Sequence, residues 1–355
     1  MQMRAARMHG YNQPLQIDDV RVPELGPTQV LIKVQRLGCA AATFSSWTAT
    51  FARDCPWTCP SHRDTRSPAP LPLWARRCPR HLGCPRAISS WSTPTGVTAP
   101  AGNVTKAMNN SVAVDSSSGS GPTAVSRSTW LRRTITSSPS PIYPKRPEYL
   151  APLTDAGLTP YRGMKKLRDA GKLGSGRTVV INGIGGLGGY AVQYARLLGA
   201  GVTVVGFARS DDKLAVAREN GAHHTVNVRG KTAEDVQNEL DDLTGRRTVD
   251  AVLDCAGSAE SLGLAAAILG TEGALSQVGL MGQRVELPIF PFVSGERSYF
   301  GSFWGNYNDL REVLTLAGQG LIKHHVVPVK LDDVNDTLEA LGRGDIVGRA
   351  VVVFD

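Results

Sequence analysis

One stretch of the chain leaves few structural alternatives: Arg177-Thr-Val-Val-Ile-Asn-Gly-Ile-Gly-Gly-Leu-Gly-Gly189. Its β-branched run, Val179 to Ile181, reads as a buried parallel strand. Gly183-x-Gly185-x-x-Gly188 follows, and then Tyr190-Ala-Val-Gln-Tyr-Ala-Arg-Leu-Leu198 with helical spacing. In such a unit Gly183 permits the tight turn, Gly185 lets the backbone approach a pyrophosphate, and Gly188 lets helix and strand pack closely. The helix N-terminus adds unpaired N–H groups and the positive end of the dipole. A lone GxGxxG is often only a turn. Here a strand precedes it, a helix follows it, and further βα units lie downstream, which makes it a dinucleotide site.

Those downstream units alternate regularly. Strands are expected at 202–205, 225–227, 249–254 and 274–279, and helices at 211–220, 233–243 and 259–269. This order means a doubly wound parallel sheet. A helix is expected at 162–170, a strand at 299–304, helices at 308–318 and 332–342, and a strand at 349–354. At the other end, residues 3–18 read as a hairpin, and Gln29-Val-Leu-Ile-Lys-Val-Gln35 alternates as a half-buried strand.

Between these two ordered regions the pattern collapses. From Gly38 to Pro147 there are 13 Lys/Arg, 3 Asp/Glu and no Glu, so this segment carries the basic balance of a chain whose net charge is +8. It also holds five of the six cysteines and five of the six tryptophans. Cys55-Pro-Trp-Thr-Cys-Pro and Arg76-Arg-Cys-Pro-Arg-His-Leu-Gly-Cys-Pro85 have neither a two-residue nor a 3.6-residue period. Ser116–Pro122 and Ser137–Pro141 have linker composition. A structureless loop of about 110 residues inside a compact enzyme is itself anomalous. Cys55, Cys59, Cys78 and Cys84, with His62 and His81, do not match common zinc spacings.

Pro152-Leu-Thr-Asp-Ala-Gly-Leu-Thr-Pro-Tyr161, Gly183–Gly188, Lys213-Leu-Ala-Val-Ala-Arg-Glu-Asn-Gly-Ala222 and Gly348-Arg-Ala-Val-Val352 together resemble the zinc-type medium-chain dehydrogenase/reductase family, to which many alcohol dehydrogenases belong. The resemblance covers residues 1–37 and 149–355. It implies an α/β fold: a catalytic domain like GroES and a doubly wound Rossmann domain. The expected division is 1–150 for the catalytic domain, disrupted between 38 and 147, then 151–298 for the nucleotide domain and 299–355 completing the catalytic domain. The implied reaction is hydride exchange between an alcohol, aldehyde or ketone and a nicotinamide cofactor.

The departure from the family is large. The family's zinc loop resembles V-C-G-S-D, with G-H-E later, and neither stands in this chain. Yet the codons allowed for Gly38–Phe44, read from each third base, spell V-C-G-S-D-L. Arg63–Ala69 read likewise permit G-H-E-I-A-G, and Gly119–Thr129 permit L-W-A-D-G-G-F-A-E-Y. Three family-like motifs in family order and one shifted frame point to a displaced reading frame from about residue 38 to 131–148. The alternative is a genuine disordered insertion.

The resemblance carries site residues over by position. Gly183, Gly185, Gly186, Leu187 and Gly188 would hold the pyrophosphate. Asp155 occupies the Thr-[Cys/Asp]-x-Gly position that supplies a catalytic zinc ligand; a carboxylate suits zinc, but Asp also favours a helix N-cap. The intended protein is expected to bind Zn²⁺ and this chain, lacking the partner ligands, is not. Thr159 lies toward the nicotinamide, or only caps the helix. Arg349 matches an arginine reaching the pyrophosphate, or is a surface residue. Gly279 and Leu280 end a strand at the ligand-binding edge. Phe303, Trp304 and Asn306 line the substrate or dimer side, or merely pack. Cys255 reads as a small buried residue.

Cofactor choice is legible after the second strand. NAD-preferring enzymes place Asp or Glu there for the ribose 2′-hydroxyl. This chain has Ala208 with Arg209 and Ser210 following, which favours NADP(H) over NAD(H) through an arginine–phosphate pair; Arg209 could also be simply solvated. Two rivals remain: a zinc-free reductase of the quinone reductase type, and a nucleotide-bound protein whose basic segment contacts nucleic acid. The expected partners are small molecules, not nucleic acid or membrane, with a homodimer or homotetramer and a cytoplasmic setting.

Overall fold

The computed structural model describes residues 2–7, 9, 13–24, 31–39, 146–282 and 284–354. The proposed frame displacement, and the cysteine and histidine cluster at 55–84, fall almost wholly outside these residues.

Six parallel strands form the main sheet: β4 (Thr178–Asn182), β5 (Thr203–Ala208), β6 (His224–Asn227), β7 (Val249–Asp254), β8 (Leu269–Gln277) and β9 (Ser298–Gly301). Their spatial order is β6-β5-β4-β7-β8-β9. The chain leaves β4 in one direction for β5 and β6, then returns to the other side for β7. The crevice between β4 and β7 is therefore a topological switch point, where open α/β sheets bind ligands.

Period-two alternation fills both faces. Val179 and Ile181 of β4 join one buried cluster with Met164, Leu167, Val192 and Tyr194. Val180 faces a second cluster with Phe207, Val236, Leu240, Leu262 and Leu275. The first face is covered by α1 (Leu158–Asp169) and α2 (Gly188–Leu198), the second by α4 (Ala233–Thr244) and α5 (Ala259–Ile268); α3 (Asp211–Glu219) follows β5. Capping boxes at Thr232/Asp235 and Ser258/Ser261 start α4 and α5 by satisfying orphan N–H groups reciprocally.

The remaining elements come from the two ends of the chain. The hairpin β1 (Gln2–Arg7) and β2 (Gln16–Arg21) is antiparallel. A separate sheet orders β10 (Val326–Val329), β11 (Arg349–Val353) and β3 (Arg36–Gly38). With α8 (Val334–Arg343) these surround a small cluster of Cys39, Val334, Ala350 and Val352, flanked by Leu15, Ile17 and Leu37. Helices α6 (Ile289–Ser294) and α7 (Tyr307–Gly318) complete the set.

Several sequence expectations need correction. Residues 31–35 are not a strand and are exposed; pairing begins only at Arg36, where β11 supplies the partner edge. The helix expected from Arg162 starts at Leu158 and is entered through a wide π turn, Leu153–Gly157. The strand expected at 299–304 ends at Gly301, because Trp304 turns into the left-handed region at φ 42°. The strand expected at 274–279 starts earlier, at Leu269, and stops at Gln277. β10 and α6 were not anticipated.

Candidate functional site

At the switch point, Gly183 has φ 95°, a conformation L side chains rarely adopt. Its N–H donates to the Phe207 carbonyl at 3.0 Å, which turns the chain sharply off β4. A Cβ on Gly188 would lie 2.1 Å from the Gly183 carbonyl oxygen, so α2 begins in contact with the strand end. A Cβ on Gly185 would meet nothing within 4 Å. The N–H groups of Gly185, Gly186 and Leu187 have no partner among the described residues. Free donors beside open space, ahead of a helix N-terminus, suit a phosphate. A shallow cleft beside Gly185 is also lined by Lys213, Ile346 and Gly348, joining this turn to the loop before β11.

Arg349 closes the other side. A Cβ on Gly186 would come within 2.3 Å of the Arg349 Nε, so the guanidinium lies directly against the glycine. That Nε is buried without a hydrogen-bond partner, and the side chain is only 12% exposed. Arg349 is therefore not a surface residue. Together the open turn and this guanidinium fit a dinucleotide pyrophosphate.

At the end of β5, Ala208 is buried and Arg209 is exposed. Ser210 precedes α3, and its hydroxyl is the foremost influence holding the Asp212 carboxyl below its usual range. The charge of Arg209 reaches Glu260 and helps hold that carboxyl below its usual range, after the Glu260 backbone and Ser258 hydrogen bonds.

Asp254 opens the Asp254-Cys-Ala-Gly257 stretch that the resemblance places at a strand end beside the adenosine, and it ends β7. It is fully buried; Oδ2 accepts from the Gly257 N–H at 2.8 Å and the Ser261 hydroxyl at 3.2 Å. Oδ1 is buried with no partner. Burial outweighs these bonds and pushes the carboxyl up to about 6. The same loop packs against the end of β8: a Cβ on Gly257 would lie 2.1 Å from the Gly279 carbonyl carbon. Gly279 thus serves close backbone packing at this edge, while Leu280 beside it is exposed. Cys255, read as a small buried residue, is half-buried and packs against the first cluster, and burial raises its thiol well above its ordinary value.

Asp155 does not cap a helix, since helical backbone runs through it from Leu150 to Asp169. Its Oδ1 accepts from the Trp304 indole Nε1 at 3.2 Å, and its Oδ2 lies 3.8 Å from an Arg349 nitrogen. Zinc needs about four such ligands, and no group of three or more His, Cys, Asp or Glu that could hold a metal occurs among the described residues. With both Asp155 oxygens engaged by cationic or N–H donors, the described residues do not fit a zinc ion. The Thr159 hydroxyl is buried without a partner and does not cap α1, which Gly157 precedes. Phe303 and Trp304 are in ring contact at 4.6 Å. Asn306 caps α7, accepting from the Asp309 N–H; its Asn-x-x-Asp signature was readable in sequence.

Residues 186–319 match the zinc-binding dehydrogenase family model. An alcohol dehydrogenase of Rhizobium meliloti is 30% identical over 372 residues, covering 99% of this chain and 99% of that protein. The chain belongs to the zinc-type medium-chain dehydrogenase/reductase family. The D-arabinose 1-dehydrogenase (NADP(+)) of Saccharolobus solfataricus is 28% identical over 352 residues, 98% of this chain and 97% of the relative. The alcohol dehydrogenase of the archaeon Aeropyrum pernix superposes with a TM-score of 0.67 at 26% identity, covering 99% of this chain and 100% of that one. By family, this dehydrogenase is an alcohol dehydrogenase-like oxidoreductase that works with a nicotinamide cofactor. No helix among the described residues is long and apolar enough to cross a membrane.

Proposed function

We propose that, in its intended reading frame, this dehydrogenase interconverts a small alcohol with its aldehyde or ketone using NADP(H) in preference to NAD(H). The observation that carries the reading is the turn at Gly185–Leu187: free N–H groups, open space, and the Arg349 guanidinium against Gly186. The N–H groups and Arg349 would hold the pyrophosphate, and Arg209 with Ser210 the 2′-phosphate. Gly279 and Leu280 would border the nicotinamide half, with Thr159 on its substrate side. A nicotinamide held there would supply hydride chemistry at C4, with the alcohol's hydroxyl proton released to solvent on oxidation and taken back up on reduction. The protein orients the two partners and keeps water from the transfer.

Arg209→Ala tests cofactor choice. The ratio of NADP to NAD affinity should fall toward NAD; an unchanged ratio removes Arg209 from the assignment.

We further infer that residues 151–298 form the nucleotide domain, and that 1–150 with 299–355 make the catalytic one. The frame displacement between about 38 and 147 deprives this chain of its zinc ligands, leaving Asp155 to Arg349 and Trp304. As written, the chain should neither hold zinc nor turn over. Stoichiometric zinc with activity refutes the frame argument, and resequencing codons 36–150 checks it directly. A zinc-free reductase of the quinone reductase type would need no Cys or His ligands, but Asp155 and the recoverable metal motifs count against it; metal content of the frame-corrected protein separates the two. A cytoplasmic homodimer or homotetramer is the expected state, to be measured by light scattering.

A further inference from the structure

The loop after β6 is bonded onto the end of β5. The two strands are in register at Ala208 and Asn227, and the Val228 N–H donates to the Ala208 carbonyl at 2.9 Å. The Arg229 N–H donates to the Asn227 side chain at 3.1 Å, and the Arg229 Nε donates to the Arg209 carbonyl at 2.7 Å. That last bond fixes where the second guanidinium sits. It uses Nε alone; the two terminal nitrogens of Arg229 have no partner among the described residues. Arg209 and Arg229 are both exposed, at the same carboxyl edge.

The nearby acids do not neutralise the pair. Asp211 accepts from the Asn227 side chain at 3.0 Å, and the Asp212 carboxyl is influenced foremost by the Ser210 hydroxyl and by Lys213, not by either arginine. Glu260 feels Arg209 only at a distance, and no ion pair joins an acid to either arginine among the described residues. Two guanidiniums without counter-ions repel each other unless an anion sits between them. Ala208, buried and apolar, offers the ribose no carboxylate.

We propose that Arg229 is a specificity-determining residue, the second guanidinium of a clamp on the phosphomonoester carried by the adenosine ribose of the cofactor. The assignment rests on the NADP(H) reading above. Its Nε–carbonyl bond presents both terminal nitrogens pre-oriented, as planar phosphate recognition by arginine requires.

The test titrates the full chain with 2′,5′-ADP and with 5′-AMP, two probes that differ by the phosphate in question. Arg229→Ala should weaken 2′,5′-ADP by about ten- to a hundredfold, the range for a hydrogen bond to a charged group, and leave 5′-AMP unchanged. Arg229→Lys keeps the charge but loses the carbonyl bond, and should recover part of the affinity. Equal loss for both probes means Arg229 only supports the loop, and overturns the proposal; so does an unchanged 2′,5′-ADP affinity. If the wild-type chain does not favour 2′,5′-ADP over 5′-AMP, the NADP(H) reading itself fails, a result visible before any variant is made. Should Arg229→Ala unfold, Arg229→Gln carries the same comparison without the charge.

Discussion

Every strand of the six-stranded sheet comes from one continuous run, residues 178–301, whereas the three-stranded sheet joins β3 at 36–38 to β10 and β11 at 326–353. In the first, the strands follow one another within a few tens of residues, with one crossover from β6 back to β7 beside β4, and the helices between them cover both faces. In the second, the pairing Val352↔Leu37 closes a loop spanning nearly the whole chain. Loop-closure entropy grows only slowly with length, but long-range pairing delays folding. The difference in burial follows. β4 and β7 are buried at every residue, while β3 and β10 have no buried residue and β11 is buried only at Ala350, Val351 and Val352. The nucleotide half carries its own core; the end-built half depends on the ends meeting.

The largest expected effect tests whether the nucleotide half is as tightly built as this contrast requires. Gly188→Val places a branched side chain where even a Cβ would sit 2.1 Å from the Gly183 carbonyl oxygen. Backbone cannot yield as a flexible side chain does. Denaturant unfolding should show a loss of about 3 kcal/mol, the upper part of the usual range for overpacking. A midpoint matching wild type would mean that the turn and helix are not held together, and the comparison would lose its rigid member.

The same contrast explains what was legible in the sequence. The βα units announce themselves because period 2 and period 3.6 are local signals, and Val179, Val180 and Ile181 need no distant partner to be recognised. Boundaries moved by one to several residues, and the π turn before α1 had no local sign. β10 escaped because Pro328 argues against a strand; only its parallel pairing with β11 settles it. Residues 29–35 alternate convincingly, yet Leu31, Ile32 and Val34 are more than two-fifths exposed, because alternation names a face without supplying a partner strand. In the site, the glycine turn was readable, as was the absence of an acid at Ala208. The meeting of Asp155, Trp304 and Arg349 was not, since it joins three segments far apart in sequence. The place of Asp254 at a strand end was legible, but its complete burial was not, because a single acid there has no spacing signature.

Asp254 gives the next effect, through pH. Its folded pKa is raised to about 6, above the ordinary carboxylate value, so the folded state favours the neutral form. The resulting stability is complete below about pH 4 and is lost as pH rises through about 6, by roughly 2–3 kcal/mol. Asp254→Asn should remove that slope. Asp250 and Asp309 run the other way. Their pKa values are lowered by hydrogen bonds, from Arg177 foremost at Asp250 and from the Asn306 N–H at Asp309, which outweigh burial. Their contribution is present above about pH 4 and fades as pH falls below it. A variant that keeps the wild-type slope between pH 4 and 7 would remove Asp254 as its source.

A smaller effect separates folding from binding within the nucleotide half. Gly185→Ala meets nothing within 4 Å and sits at no positive φ, so melting should change little. Dinucleotide affinity should nevertheless fall about tenfold, roughly 1.4 kcal/mol, because the added methyl occupies the phosphate's space. Retained affinity would place the pyrophosphate elsewhere than on this turn.

The smallest effect belongs to the end-built half. The Asn335 side chain of α8 accepts from the Leu15 N–H and donates to the Leu15 carbonyl, both at 2.9 Å, so one amide ties the N-terminal hairpin to a helix 320 residues later. The nearby pair Arg4–Asp332 is exposed at both ends and adds little. Asn335→Ala should cost about 1 kcal/mol, the ordinary net value of such bonds. The cost should fall unevenly. Hydrogen exchange should rise at the Leu15 amide and across β1 and β2, because local openings follow local contacts, while β4 and β7 keep their protection. If exchange rose equally in both sheets, the two halves would unfold as one unit, and the contrast between a self-sufficient nucleotide half and an end-built one would not hold.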